Sequence, residues 1–98
     1  MDIEEFDNIL LHNSVVFLSK PSCKLCDELS TYLQTNNIKY YKIDVNSVDY
    51  GLELVEHIKN TNVVQSFPIC FKDALFVGTK GDLIKILFDS VEYSIDNI

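Results

Sequence analysis

Apolar residues recur along the chain at two kinds of spacing, which predict alternating helices and strands. Spacings of three and four residues predict helices over 2–13, over 24–35, from about Val48 to Lys59, and from Asp82 onwards. Continuous apolar or β-branched runs predict strands at Val15–Ser19, Ile38–Val45, Phe67–Lys72 and Leu75–Val77. The tail from Val91 to Ile98 either extends the last helix or packs loosely.

The order of these elements, α-β-α-β-α-β-β-α, predicts an α/β fold with a mixed sheet. Strands separated by a helix pair in parallel, whereas the last two strands, joined at Asp73-Ala74, form an antiparallel hairpin. We therefore expect a four-stranded mixed sheet, made of a parallel βαβ unit and the hairpin, flanked by helices in a single domain over 1–98. Pro68 opens its predicted strand, where a proline removes no hydrogen-bond donor that the sheet needs.

Each predicted helix has one apolar face that would pack against the sheet. In chain order these faces consist of Ile3, Phe6, Ile9 and Leu10; of Leu25, Leu29, Tyr32 and Leu33; of Leu52, Val55 and Ile58; and of Leu83, Ile84, Leu87 and Phe88. Asn36-Asn37 is predicted to end the second helix, and Asn46-Ser47 to cap the third. The uninterrupted apolar run Val15–Ser19 is typical of a strand that is covered on both faces.

Two cysteines, Cys23 and Cys26, lie between the first predicted strand and the second helix, and their spacing indicates a redox site. Two thiols three positions apart at the start of a helix can close a disulfide and open it again. The amides of the helix terminus stabilise the thiolate of the first cysteine. We therefore expect Cys23 to be the exposed nucleophile and Cys26 to resolve the mixed disulfide.

The cysteine pair could instead be half of a structural zinc site. Such a site needs four nitrogen or sulfur ligands, and the chain adds only Cys70, His12 and His57, with no second CxxC and no paired histidines. We therefore expect no metal ligands in this chain. The pair could also be inert, acting only as two small apolar residues. Cys70 lies in a predicted strand, where a buried small hydrophobe is expected rather than a regulatory thiol.

Charge and cysteine usage narrow the possible partners and compartments. The net charge of −7 and the pI of about 4.5 argue against nucleic acid and anionic membranes as partners. Three cysteines are atypical of a secreted disulfide scaffold, and the acidic start of the chain lacks the features of a signal peptide. No apolar run approaches the ~18 residues of a membrane-spanning helix. We expect a cytoplasmic monomer in a reducing compartment.

Three patches together resemble the glutaredoxins, which have the thioredoxin fold. These patches are Lys20-Pro21-Ser22-Cys23-Lys24-Leu25-Cys26, Phe67-Pro68 and Gly78-Thr79-Lys80-Gly81-Asp82-Leu83, and the resemblance covers nearly the whole chain. It implies a thiol–disulfide oxidoreductase that reduces disulfide-containing or glutathionylated proteins with glutathione as co-substrate. In this reaction Cys23 would attack the disulfide. Cys26 would be needed to reduce protein disulfides but would usually be dispensable for the reduction of glutathione mixed disulfides.

The resemblance also implies where glutathione binds. Lys20 matches a lysine that meets the glycyl carboxylate of glutathione. Phe67 precedes an expected cis-proline, Pro68, and its backbone would pair with the cysteinyl part of the ligand. Gly81 and Asp82 match the pair that holds the γ-glutamyl end at a helix N-terminus.

Some positions depart from the common glutaredoxin pattern. Lys24-Leu25 replaces Pro-Tyr, so that Leu25 stands where a tyrosine often flanks glutathione. Ser66-Phe67 replaces Thr-Val and is bulkier at the groove, and Gly78-Thr79 replaces a glycine pair. Loss of the proline between the cysteines also occurs in some glutaredoxins that bridge an iron–sulfur cluster between two protomers.

Several alternatives remain open at this point. Lys20 could be a solvated strand end and Asp82 only a helix cap. With the same chemistry, the chain could be a thioredoxin-like electron carrier that is fed by a flavoprotein reductase and dedicated to one enzyme, for example a ribonucleotide reductase. A different class of function would be a non-enzymatic adaptor or an iron–sulfur carrier.

Overall fold

The computed structural model describes the backbone of residues 1–96 and the side chains as far as Phe88. Eight elements follow one another in the predicted order, and their bounds are α1 Ile3–His12, β1 Val15–Ser19, α2 Lys24–Thr35, β2 Tyr41–Asp44, α3 Gly51–Thr61, β3 Ile69–Lys72, β4 Leu75–Gly78 and α4 Lys80–Asp96. The tail therefore extends the last helix to Asp96, and residues 97 and 98 lie outside the described part. None of the helices described is both long and apolar enough to span a membrane.

The four strands form one mixed sheet in the order β2-β1-β3-β4. Strands β1 and β2 are parallel, whereas β3 is antiparallel to both β1 and β4. Helix α2 connects the parallel pair, and the turn at Asp73-Ala74 connects the hairpin. This arrangement confirms the predicted α/β class and is the thioredoxin fold.

Strand β1 lies inside the sheet and contributes to two separate cores. All five of its residues are buried. Val16 and Leu18 face a core formed with α1 and α3, whereas Val15 and Phe17 face a core that contains residues of α2 and α4. The alternation follows from the two-residue period of a strand, and it confirms the prediction of a strand covered on both faces.

The core beneath α1 and α3 is built on aromatic contacts. The ring of Phe6 in α1 packs edge-on against Phe71 of β3, with 5.4 Å between ring centroids. Helix α3 contributes Leu54, Val55 and Ile58 to this core. The predicted apolar faces were wrong at Ile3 and Leu52, which are 46% and 69% exposed.

The core beneath α2 and α4 contains the cysteines. It is formed by Leu29 and Leu33 of α2, Leu83 and Leu87 of α4, and Cys23, Cys26 and Cys70. The prediction was wrong at Leu25 and Phe88, whose exposed fractions are 45% and 62%. These two residues lie at the rim of their helical faces, where three-to-four spacing alone does not distinguish the edge of a buried stripe from its centre.

Two predicted boundaries differ because local hydrogen bonds take precedence over apolar pattern. The predicted strand at Ile38 begins only at Tyr41, because the Ile38 amide donates to the Leu33 carbonyl at 2.9 Å and closes α2. Asn37 is left-handed, with a φ of 57°. This geometry is the common Schellman ending of a helix.

The predicted start of α3 at Val48 is also wrong, and the helix begins at Gly51. The Asp44 carboxylate accepts from the Asn46 amide at 2.9 Å, and the Asp44 carbonyl accepts from the Ser47 amide at 3.0 Å. These bonds hold the segment in a turn. Residue Tyr50, rather than Asn46 or Ser47, immediately precedes the helix.

Candidate active site

Cys23 and Cys26 form a disulfide at the start of α2. Their Cα atoms are 5.2 Å apart, and Cys23 is the N-cap of the helix, with extended backbone angles. The chain reaches this position through Ser22, whose left-handed backbone (φ of 59°) ends the turn after β1. The predicted arrangement of a strand, a turn and a helix N-terminus is therefore present.

The two sulfur atoms differ in their surroundings. The Cys26 amide donates to Cys23 Sγ at 3.2 Å, so that a backbone dipole of the first helical turn points at the first sulfur. Cys23 is 9% exposed and Cys26 only 1%, so Cys23 is the more accessible of the two sulfurs but is buried, not exposed as predicted. In the reduced state the same amide would stabilise a Cys23 thiolate, which is the behaviour predicted for the attacking thiol.

The loop before β3 approaches the mouth of this site. The Phe67–Pro68 peptide bond is cis, as expected from the sequence. The β1–β3 ladder ends at the pair Leu18 and Ile69, so Phe67 lies beyond it and its main-chain polar groups are not used by that ladder. Phe67 packs against the core that contains Cys23 and Cys26.

Lys20 lies directly after β1, next to Phe67 in the loop before β3. Its Nζ sits over the ring of Phe67, 5.2 Å from the ring centroid. The resemblance to glutaredoxins implied a ligand-binding role for Lys20 and for the backbone of Phe67, but not a contact between their side chains. The antiparallel register of β1 and β3, once known, would have placed these two residues opposite each other.

The start of α4 differs from the prediction. The helix begins at Lys80, and Asp82 lies in its first turn rather than at its cap. The Asp82 carboxylate accepts from the Thr79 amide at 3.0 Å and from the Thr79 hydroxyl at 2.9 Å, and these bonds hold the pKa of Asp82 below its usual range. The pattern Thr79-x-x-Asp82 is a capping-box signal that was available in the sequence.

Gly81 is exposed in the same turn. A Cβ at this position would make only an ordinary contact with Thr79 Oγ1, at 3.8 Å. The main chain here is therefore open to solvent, as a binding role for Gly81 and Asp82 requires. The carboxylate of Asp82, however, is already engaged by Thr79.

An ion pair joins the two helices that flank the disulfide. Lys80 Nζ of α4 lies 2.8 Å from Glu28 Oε2 of α2. The hydrogen bond and charge of Lys80 lower the pKa of Glu28. Both side chains are partly exposed, so this pair adds little stability, but it links the first turn of α4 to the N-terminal half of α2. Nothing in the sequence pattern pointed to this pair.

The third thiol is placed differently from the other two. Cys70 is fully buried in β3, and burial, together with the charge of Asp82, raises the pKa of its thiol to about 12. This agrees with the prediction of a small buried hydrophobe. Across residues 1–88, no group of three histidine, cysteine, aspartate or glutamate side chains is arranged to hold a metal ion.

Sequence comparison relates the chain to glutaredoxins. It is 24% identical over 80 residues to the mitochondrial glutaredoxin-2 of Rattus norvegicus, and 21% identical over 80 residues to the protein of the same name from Mus musculus. In both cases the match covers 82% of this chain and 51% of the relative. The chain thus spans about half the length of the curated relatives it matches. No protein-family model matches it.

Solved structures share the fold. A buckwheat glutaredoxin–glutathione complex superposes with a TM-score of 0.74 at 16% identity, covering 89% of this chain and 79% of that one. The dithiolic glutaredoxin of Trypanosoma brucei brucei gives a TM-score of 0.74 at 20% identity, covering 87% and 88%. The chain therefore resembles the glutaredoxins in sequence, has their thioredoxin fold, and carries in Cys23 and Cys26 a pair that fits their CxxC dithiol motif.

Proposed function

We propose that this protein is a glutathione-dependent thiol–disulfide oxidoreductase that reduces protein disulfides and glutathione mixed disulfides in a reducing cytoplasm. The observation that carries the proposal is the disulfide between Cys23 and Cys26 at the N-terminus of α2, with the Cys26 amide directed at Cys23 Sγ. A pair in this position can alternate between dithiol and disulfide, since the helix terminus favours the thiolate that attacks.

The proposed cycle transfers two electrons. The Cys23 thiolate attacks one sulfur of the substrate disulfide, so that a mixed disulfide forms and the other sulfur leaves as a thiolate, which takes up a proton. The Cys26 thiol then loses its proton and attacks Cys23 Sγ, which releases the reduced substrate and closes the Cys23–Cys26 disulfide. Two glutathione molecules reopen it by the same exchange and become glutathione disulfide.

Glutathione as the reductant is supported by the groups around the disulfide. Lys20 offers a cation, the main chain at Phe67 lies beyond the β1–β3 ladder, and the first turn of α4 presents open backbone at Gly81. These groups suit a short peptide with carboxylates at both ends. The buckwheat glutaredoxin with the same fold was solved with glutathione bound.

A dedicated electron carrier is the second candidate, and two observations favour it. The Asp82 carboxylate, which glutathione binding would use for the γ-glutamyl end, is hydrogen-bonded to Thr79. Leu25 is 45% exposed beside the disulfide and offers an apolar contact to a protein partner. In this case a flavoprotein reductase would supply the electrons.

The deciding experiment measures glutathione-dependent reduction of a glutathionylated peptide by wild type, Cys23→Ser, Cys26→Ser and Cys70→Ala. We expect Cys23→Ser to be inactive, Cys26→Ser to retain activity on this substrate, and Cys70→Ala to serve as the matched cysteine control. A wild type that is inactive with glutathione, but reduces protein disulfides with a thioredoxin reductase, would replace the glutathione proposal with the carrier.

A further inference from the structure

The contact between Lys20 and Phe67 has a consequence for substrate choice. The Lys20 ammonium lies 5.2 Å from the centroid of the Phe67 ring, inside the roughly 6 Å over which an aromatic face attracts a cation. Ion pairs in the described part of the chain involve Lys72 and Lys80, not Lys20. The ring is therefore the neighbour that holds Lys20 in place.

The location of this pair follows from the fold. Lys20 directly follows β1 and Phe67 precedes β3, and the antiparallel register that pairs Leu18 with Ile69 brings the two together. The Phe67 ring also packs against the core that contains Cys23 and Cys26. The pair therefore lies beside the core that holds the disulfide.

The charge of the whole protein makes one local cation important. With a net charge of −7, the chain repels anions at long range. A lysine side chain is flexible, and holding it in one place without a partner costs conformational entropy. A ring beneath the ammonium reduces that cost while the charge stays available, because the aromatic contact leaves the outer face of the ammonium open to an incoming carboxylate.

We propose that Phe67 is a positioning residue for Lys20, whose carboxylate-binding role the resemblance to glutaredoxins implies, and that the ring sets how strongly the site prefers disulfides that carry carboxylates near the sulfur. The inference rests on the proposed function in one respect, since it requires that Cys23 attack disulfides. It does not require that glutathione be the reductant.

The test uses three small disulfides of similar size: dithiodipropionate, which is anionic, bis(hydroxyethyl) disulfide, which is neutral, and cystamine, which is cationic. The second-order rate constant for oxidation of the reduced protein is measured with each. The readout is the ratio of the anionic to the cationic rate constant. This ratio cancels any change in the intrinsic reactivity of Cys23, and the neutral disulfide reports that change separately.

We expect the ratio to fall two- to fivefold in Phe67→Leu, the range that corresponds to an exposed cation–aromatic contact. Phe67→Tyr, which keeps the ring, should retain the wild-type ratio. Lys20→Gln should lower the ratio at least as far as Phe67→Leu does. The ratio of the double variant Phe67→Leu/Lys20→Gln should be no lower than that of Lys20→Gln alone. Phe88→Leu and Lys59→Gln are the controls for losing an exposed ring and a remote charge.

Two results would overturn the inference: an unchanged ratio in Phe67→Leu, which includes equal losses with all three disulfides, or a further fall when Phe67→Leu is added to Lys20→Gln. Failure of the proposed function is a separate result. A protein that shows the expected ratios but no turnover with glutathione contradicts the glutathione assignment and supports the role of Phe67. A reduced protein that attacks none of the three disulfides overturns both.

Discussion

Thr79 and Asp82 cap the last helix reciprocally. The Asp82 carboxylate accepts from the Thr79 amide at 3.0 Å, and the Thr79 hydroxyl is 3.3 Å from the Asp82 amide. The capping box thus satisfies two backbone donors that the first turn of a helix leaves unpaired. A separate ion pair ties this capped turn to the helix that begins at the active-site disulfide, because the neighbouring Lys80 is bridged to Glu28 of α2.

We expect Thr79→Ala to lower the free energy of unfolding at neutral pH by about 1 kcal/mol, the usual effect of losing an N-cap side chain. The measurement is urea unfolding followed by circular dichroism. Thr79→Ser, which keeps the hydroxyl, is the matched control. Equal stability of Thr79→Ala and wild type would contradict a stabilising cap.

The capping box should also make the free energy of unfolding depend on pH in the acid range. The pKa of Asp82 is lower in the folded protein than the 3.8 of the unfolded chain. The stability that Asp82 contributes is therefore fully present above pH 3.8 and is lost as pH falls through the lower pKa of the folded state. The stability difference between wild type and Asp82→Asn should therefore shrink below about pH 4. A difference that stays constant down to pH 2 would contradict the assignment.

Cys70 should be inert towards alkylation in the folded, reduced protein. With a pKa of about 12 instead of 9.0, it carries roughly a thousandfold less thiolate than an ordinary cysteine at the same pH, and it is fully buried. Iodoacetamide followed by peptide mass spectrometry should modify Cys23 rapidly and Cys70 only after denaturant is added. Rapid modification of Cys70 under native conditions would contradict its burial.

The same raised pKa has a consequence at alkaline pH. A group whose folded pKa exceeds its unfolded value stabilises the protein fully below the unfolded value and loses this contribution as pH rises through the folded one. Between about pH 9 and 12, wild type should therefore lose stability more steeply than Cys70→Ala. Parallel stability curves for the two proteins would show that Cys70 titrates normally.

The hairpin between β3 and β4 should be stabilised by Ala74→Gly. Asp73 and Ala74 both have positive φ, 52° and 67°, which a two-residue hairpin turn requires but which alanine tolerates poorly. Glycine removes the Cβ repulsion, so we expect a gain of about 1 kcal/mol, measured by thermal unfolding. Asp73 should be left unchanged, because its amide donates to the Ser14 carbonyl at 2.8 Å and its carboxylate accepts from the Ser14 hydroxyl at 2.9 Å. A lower melting temperature in Ala74→Gly would contradict this account.

Gly51→Ala should destabilise the protein although alanine normally favours helices. A Cβ at position 51 would overlap the carbonyl of Val45, a backbone group that cannot move aside as a side chain can. We expect a loss of about 1–3 kcal/mol, typical of overpacking. Gly81→Ala is the matched control, since a Cβ there has ordinary room, and it should be neutral or stabilising in the same unfolding assay. Equal effects of the two substitutions would contradict the close approach at Gly51.

Prediction from the sequence succeeded where local signals and tertiary packing agree. The bounds of β1 and α2 are as predicted, because an unbroken apolar run and a cysteine at a helix start leave few alternatives. The prediction was wrong at the start of α3, because apolar spacing does not show the local turn that the hydrogen bonds to Asp44 form, and because the close approach of Gly51 to Val45 depends on the folded chain. The contact between Lys20 and Phe67 requires the register of two strands distant in sequence, and periodicity carries no information about it.

The two-sided burial of β1 has a consequence for how the active site is held. Val15 and Phe17 belong to one core and Val16 and Leu18 to the other, so a slip of the strand by one residue would exchange the occupants of both. Lys20 follows this strand directly and Cys23 follows it after a short turn, and their placement is therefore determined by apolar side chains that have no redox chemistry. Volume-preserving changes within β1 should be tolerated by the reaction, whereas a single inserted residue there would disorganise it without touching a cysteine.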